Sequence, residues 1–111
     1  MTDKAEVKHL KIAEFLEARK FDPSSIIVDV RDDEKWNEGH IPGALHLQKS
    51  EVESKIRERV PDLTAKIICH CGGGTSGAKA AETLVNLGYE NVAVLDGGFR
   101  SYKAHGAPIQ K

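Results

Sequence analysis

The apolar pattern of this chain predicts an α/β fold, a central and mostly parallel five-stranded sheet with helices on both faces. Three observations carry the expectation. The runs Ile26–Val30, Lys66–His70 and Val92–Leu95 are apolar on consecutive rather than alternate positions, as in strands covered on both sides. Segments with apolar residues every three or four positions separate these runs, which calls for crossover connections and parallel pairing. Gly or Pro marks most of the boundaries.

Taken in order, Lys8–Lys11 reads as a short first strand, and Ile12, Phe15 and Leu16 then share one face of a helix. Asp22-Pro23-Ser24-Ser25 is a turn ahead of the strand Ile26–Val30. Asp32 and Asp33 cap a short helix that carries Trp36 and stops at Gly39. Ala44–Leu47 is a short strand. Val52, Ile56 and Val60 recur every four residues, so Ser50–Arg59 is an amphipathic helix closed by Pro61. After Lys66–His70, a helix lined by Ala78, Ala81, Leu84, Val85 and Leu87 stops at Gly88. The strand Val92–Leu95 ends in Asp96-Gly97-Gly98. A last helix, Phe99–His105, stops at Gly106, beyond which Pro108 forbids continuation.

The length, 111 residues, suits a single domain spanning residues 1–111 with one core. A net charge of −1 implies no strongly basic face and no nucleic-acid partner. No apolar run reaches membrane-spanning length, and the charged opening Met1-Thr2-Asp3-Lys4-Ala5-Glu6 lacks a signal core. No membrane partner is expected, and the cytoplasm is the default location. The two cysteines, Cys69 and Cys71, are too close for an unstrained bridge. Cys69-His70-Cys71 contains zinc-ligand types, but His9, His40, His46 and His105 stand apart and supply no second ligand pair. Neither metal nor cofactor is expected.

In sheets of this kind, sites form at the carboxyl ends of the strands. Asp29-Val30-Arg31, Cys71 and Asp96-Gly97-Gly98 all fall there. Cys71 opens the loop Cys71-Gly72-Gly73-Gly74-Thr75-Ser76, set between a strand and a helix that begins near Gly77. A thiol in that context faces the positive end of a helix dipole, and the glycines let main-chain N–H groups converge on an anion. Both effects favour thiolate. Cys69, inside the apolar run, reads as a core residue instead. A nucleotide loop would need a terminal Lys-Ser/Thr pair. A cysteine phosphatase would need an arginine six positions after the cysteine to clamp phosphate. This chain has Gly77 there.

Four segments in order resemble the single-domain rhodanese-like sulfurtransferases. They are Val28-Asp29-Val30-Arg31 followed by Trp36, Gly39-His40-Ile41-Pro42-Gly43-Ala44, the six-residue loop Cys71–Ser76, and Leu95-Asp96-Gly97-Gly98-Phe99 with Gly106-Ala107-Pro108-Ile109. The chain departs from the family where many members carry a basic residue in the loop, where a tryptophan is common at Tyr102, and where a glutamate often stands at Lys35. The resemblance implies a two-step transfer. Cys71 takes the outer sulfur of thiosulfate or a related persulfide donor, and a thiophilic acceptor collects it: a thiol, a protein, or cyanide in assays. Gly72, Gly73, Gly74, Thr75, Ser76 and Gly77 then serve as a backbone cradle for the substrate, with Thr75 and Ser76 open to helix capping as well. Arg31 and Lys35 join them in substrate binding and Asp29 supports the site, the other readings being a structural Asp29–Arg31 pair and a solvated Lys35. His40 is assigned hydrogen bonding, and Trp36 and Tyr102 packing. His70, in strand geometry, points away from both cysteines. The alternative function is a sulfur-carrier or regulatory rhodanese-like module with little turnover.

Overall fold

Strands form where the Ile/Val runs place side chains alternately on two faces, and all five pair in parallel in the order β1-β5-β4-β2-β3. They are β1 (Lys8–Leu10), β2 (Ile26–Asp29), β3 (Leu45–His46), β4 (Lys66–His70) and β5 (Asn91–Leu95). Between and after them lie α1 (Ile12–Phe21), α2 (Asp33–Glu38), α3 (Val52–Arg59), α4 (Ser76–Asn86) and α5 (Gly98–Ala104). The structure is a computed structural model describing residues 7–73 and 75–111; the charged opening segment 1–6 and Gly74 lie outside the described residues. No helix among the described residues is long and apolar enough to cross a membrane.

Strand alternation sorts the core into two layers. Val28, Ile67, Cys69, Val92 and Val94 pack with Val52 and Ile56 of α3 and with Ala80, Ala81 and Leu84 of α4. Ile27, Ile68, Ala93 and Leu95 pack on the other face with Phe15 of α1 and Tyr102 of α5. Helices therefore cover both faces, as the consecutive apolar runs require.

Several boundaries differ by one or two residues, each for a local reason. Val30 lies past β2, yet its N–H still donates to the His70 carbonyl at 3.0 Å. Ala44 is drawn into a turn by its bond to the Ile41 carbonyl, so β3 starts at Leu45. The start of α3 moves from Ser50 to Val52 because Gln48 and Glu51 close a turn through Glu51 N–H on the Gln48 carbonyl and Gln48 N–H on the Glu51 carboxylate. The buried stripe of α4 is Gly77, Ala80, Ala81 and Leu84, with Ala78 and Val85 only half-buried. Small residues let this helix sit close on the sheet, so hydrophobicity alone misplaces the stripe. At Gly77 an added Cβ would lie 3.2 Å from Cys71 N, His70 Cα and Val94 Cγ2.

Candidate active site

The carboxyl ends of β2, β4 and β5 do lie side by side; the residues just after β2 and β4, together with α5, border an open cavity of about 950 Å³, whereas Asp96, Gly97 and Gly98 stay outside its lining. Cys71 lies in it immediately after β4. It is only 7% exposed and its stem belongs to the core layer beneath α4, yet it borders the cavity. Neither cysteine is in a disulfide. Cys69, two residues earlier on the same face, is fully buried, and burial pushes its thiol up to about 12. The two cysteines thus differ in setting: Cys69 is sealed inside the core, whereas Cys71, buried in the same cluster, also borders the cavity.

The loop after Cys71 is shaped from the far end of the sequence. Phe99 N–H donates to the Cys71 carbonyl at 2.8 Å, and Arg100 N–H to the Gly72 carbonyl at 3.1 Å. These carbonyls face α5 and not the opening. The contact needs glycine at 98, where φ is +56° and a Cβ would stand 2.4 Å from the Cys71 carbonyl oxygen. Gly73 also packs, contrary to the expectation that the loop glycines serve only to free N–H groups. A Cβ there would lie 3.4 Å from the Gly97 carbonyl oxygen and from Arg100 Cζ.

The structure brings some of the sequence-predicted residues together and separates others. Cys71, Gly72, Ser76, Arg31 and Lys35 all line the cavity. Gly73 lies beneath Arg100, outside the lining. Thr75 is the N-cap of α4 but its side chain makes no cap bond. Gly77 is buried between α4 and strands β4 and β5, a packing position and not part of the opening. Gly74 lies outside the described residues.

Asp29 stands behind the cavity, wholly buried. It accepts from Arg31 N–H at 2.9 Å, from Nε at 3.0 and 3.1 Å, and from Nη2 at 2.7 Å. Arg31 Nη2 also donates to the Gly39 carbonyl at 2.7 Å, and the guanidinium sits 4.0 Å from the Phe99 ring centre. Burial alone would raise the Asp29 carboxyl. The Arg31 hydrogen bonds and the nearby His70 and Arg31 outweigh it and hold it below the ordinary carboxylate value. The pair is therefore structural and at the same time presents Arg31 to the cavity.

His70 projects to the opposite sheet face from Cys71, as strand geometry predicts. Its ring is fully buried; Nδ1–H donates to the Cys71 carbonyl at 3.1 Å, and Nε2, with no hydrogen-bond partner among the described residues, faces Asp29 Oδ2 at 3.7 Å. Burial lowers its pKa below the ordinary histidine value, against the opposing pull of Asp29. The folded protein therefore holds His70 neutral where the unfolded chain, titrating near ~6.5, takes up a proton. Stability should fall as pH drops below about 6.5, with a slope of up to ~1.4 kcal/mol per pH unit from this group. Asp29, whose folded value is depressed, contributes a further loss at lower pH, from about 4 downward. Urea unfolding at pH 7.5, 6.5 and 5.5 checks this; His70→Phe should flatten the profile over that range, and an unchanged slope would contradict it.

The short helix α2 is fixed by aromatic stacking. The Trp36 indole lies between two imidazoles, 3.6 Å from His40 and 4.6 Å from His46, nearly parallel to both. His40 Nδ1–H donates to the Trp36 carbonyl at 3.0 Å and His46 Nε2–H to the Arg31 carbonyl at 2.7 Å. His40 keeps the hydrogen-bonding role expected of it, and Trp36 and Tyr102 pack.

One expectation is corrected. Six cationic side chains, Arg31, Lys35, Lys49, Arg100, Lys103 and Lys111, line the cavity against two acidic ones, Asp32 and Glu38. A net charge of −1 averages this local excess away. Four of the six were missed from sequence. A signal did exist for Arg100 and Lys103, which stand three apart on one helix face just after the β5 strand end.

A family model described as a rhodanese-like domain matches residues 12–105. A thiosulfate sulfurtransferase GlpE of Pseudomonas putida is 37% identical over 100 residues, covering 90% of this chain and 88% of that protein. Among solved structures, a rhodanese-like domain from Anabaena sp. superposes with a TM-score of 0.82 at 26% identity, over 95% of this chain and 80% of that one. A Rhodopseudomonas palustris protein described as of unknown function and a possible tyrosine phosphatase superposes with a TM-score of 0.81 at 28% identity, over 94% and 85%.

Proposed function

The chain belongs to the rhodanese-like family, and from that premise we propose that it is a thiosulfate sulfurtransferase-type enzyme. It moves a sulfane sulfur from thiosulfate or a related persulfide donor to a thiophilic acceptor through a persulfide on Cys71. The observation that carries the reading is one shielded cysteine at a strand end, against a cavity lined by six cationic residues and joined by a four-residue loop to an eleven-residue helix.

In the first step the Cys71 thiolate attacks the outer sulfur of thiosulfate. A sulfur–sulfur bond to Cys71 forms, the bond to the sulfonate sulfur breaks, and sulfite leaves with the electron pair. In the second, an acceptor attacks the outer sulfur of the persulfide and restores the thiolate; cyanide leaves as thiocyanate. The cationic rim and the N-terminal end of α4 set positive charge on the side of the cavity where an anionic donor would meet Cys71. His70 is not the base in this scheme, because it lies across the sheet and already donates to the Cys71 carbonyl. The cavity far exceeds the volume of thiosulfate, which suits a thiol or protein acceptor. Residues 1–111 act as one domain in this reading, since strand ends and helices of this chain build the cavity. A thiolate nucleophile also suits a reducing compartment, hence the cytoplasm.

Phosphatase chemistry fits less well. The position six after Cys71 is Gly77, and its contacts at 3.2 Å leave no room for the arginine that would clamp phosphate.

Intact-mass spectrometry after incubation with thiosulfate tests the reading. A gain of one sulfur, about 32 Da, that cyanide or dithiothreitol reverses is expected. No gain would refute it. Loading without steady-state turnover to any acceptor would favour the sulfur-carrier module.

A further inference from the structure

The loop after Cys71 contains no charged side chain, yet the donor proposed above is a dianion. Arg31 does not answer this need freely, because its guanidinium is already engaged by Asp29 and the Gly39 carbonyl. Lys35 stands 3.8 Å from Glu38. Arg100 differs from both. It is exposed, lines the cavity that Cys71 borders, and makes no ion pair with the described residues. Its backbone is locked to the loop by the 3.1 Å bond from its N–H to the Gly72 carbonyl. Its guanidinium lies over Gly73, with Cζ and Nε at 3.4 and 3.5 Å from where a Cβ would stand. The side chain of Arg100 thus fills the space into which a loop side chain at 73 would grow. The charge the loop lacks is delivered to it from α5.

Resting on the sulfur-transfer reading, we propose that Arg100 is the specificity-determining residue for sulfonate-bearing sulfur donors. Its planar fork matches two oxygens of the sulfonate end of thiosulfate. Held there, the donor presents its outer sulfur to Cys71. As the sulfur–sulfur bond to Cys71 forms and the bond to the sulfonate sulfur breaks, the departing sulfite takes the electron pair beside a guanidinium. Charge is conserved, one thiolate and one dianion giving one persulfide anion and one sulfite dianion. A donor whose leaving group is a plain thiolate has no oxygens for the fork and gains nothing from it.

The test compares the unaltered protein with Arg100→Ala and Arg100→Lys on two donors, thiosulfate and 2-hydroxyethyl persulfide. Arg100→Ala should lower kcat/KM for thiosulfate about 10- to 100-fold, the range for a hydrogen bond to a charged group. The persulfide donor should change by less than about threefold, and Arg100→Lys should recover part of the loss. The urea midpoint should be unaltered. An equal loss on both donors would mark a merely structural role and overturn the proposal, as would an undiminished thiosulfate rate. If the unaltered protein formed no Cys71 persulfide with either donor, the sulfur-transfer reading would fail and this inference with it. Persulfide formation with an unaffected Arg100→Ala variant would sink this inference alone.

Discussion

Cys71→Ser is expected to abolish sulfur transfer while leaving the fold in place. The substitution keeps a small side chain at a site that is 7% exposed and removes only the group able to carry sulfur. An alcohol is scarcely ionised near neutrality and forms no persulfide, so turnover should fall by at least about three orders of magnitude. The 32 Da adduct should vanish with it. Cys69 cannot substitute, because burial holds its thiol up at about 12 and closes it to solvent. Steady-state transfer from thiosulfate to cyanide, with circular dichroism as the fold control, measures both halves of the expectation. Residual turnover within tenfold of the unaltered protein would place the nucleophile elsewhere.

Asp29→Ala should produce the largest loss of stability of any single change near the site. The carboxylate is fully buried, and removing it leaves the Arg31 guanidinium, 8% exposed, with the Gly39 carbonyl as its remaining hydrogen-bond acceptor. Breaking a buried pair in this way costs about 3–5 kcal/mol, a large part of the ~5–15 kcal/mol that holds a typical domain together. The Arg31 N–H also loses its acceptor, and the strand end that carries Arg31 to the cavity loosens. Asp29→Asn keeps an acceptor oxygen for that N–H and should fall between the two. Urea unfolding of the three proteins decides it; a cost under about 1 kcal/mol for Asp29→Ala would mean that Arg31 finds solvent when its partner is gone.

Much of this arrangement was legible in the chain because it rests on periodicity. The consecutive apolar residues of β2, β4 and β5 identify a sheet covered on both faces, and the strand ends then bring Arg31, Cys71 and Gly98 to one edge. The contrast between Cys69 and Cys71 follows from their places inside and just past a strand. What escaped the sequence depends on distance in space. The cationic rim gathers residues 31, 35, 49, 100, 103 and 111 from separate elements, and no linear window contains them. Gly77 looked like part of an anion cradle because it continues a glycine-rich loop, whereas its lack of a side chain serves helix-to-sheet packing. The stacking of Trp36 between His40 and His46 joins α2 to the segment that follows it and to β3, a three-body contact that pairwise sequence rules do not express.

The hydrogen bonds from Phe99 and Arg100 to the carbonyls of Cys71 and Gly72 join the middle of the chain to its last helix. The reactive loop can take its final form only after α5 has docked, with Gly98 seated against the Cys71 carbonyl. During synthesis the strands and earlier helices emerge first, since domains assemble as the chain becomes available. The shape of the loop after Cys71 therefore waits on α5, and a nascent chain with its sheet already paired would still lack these two bonds.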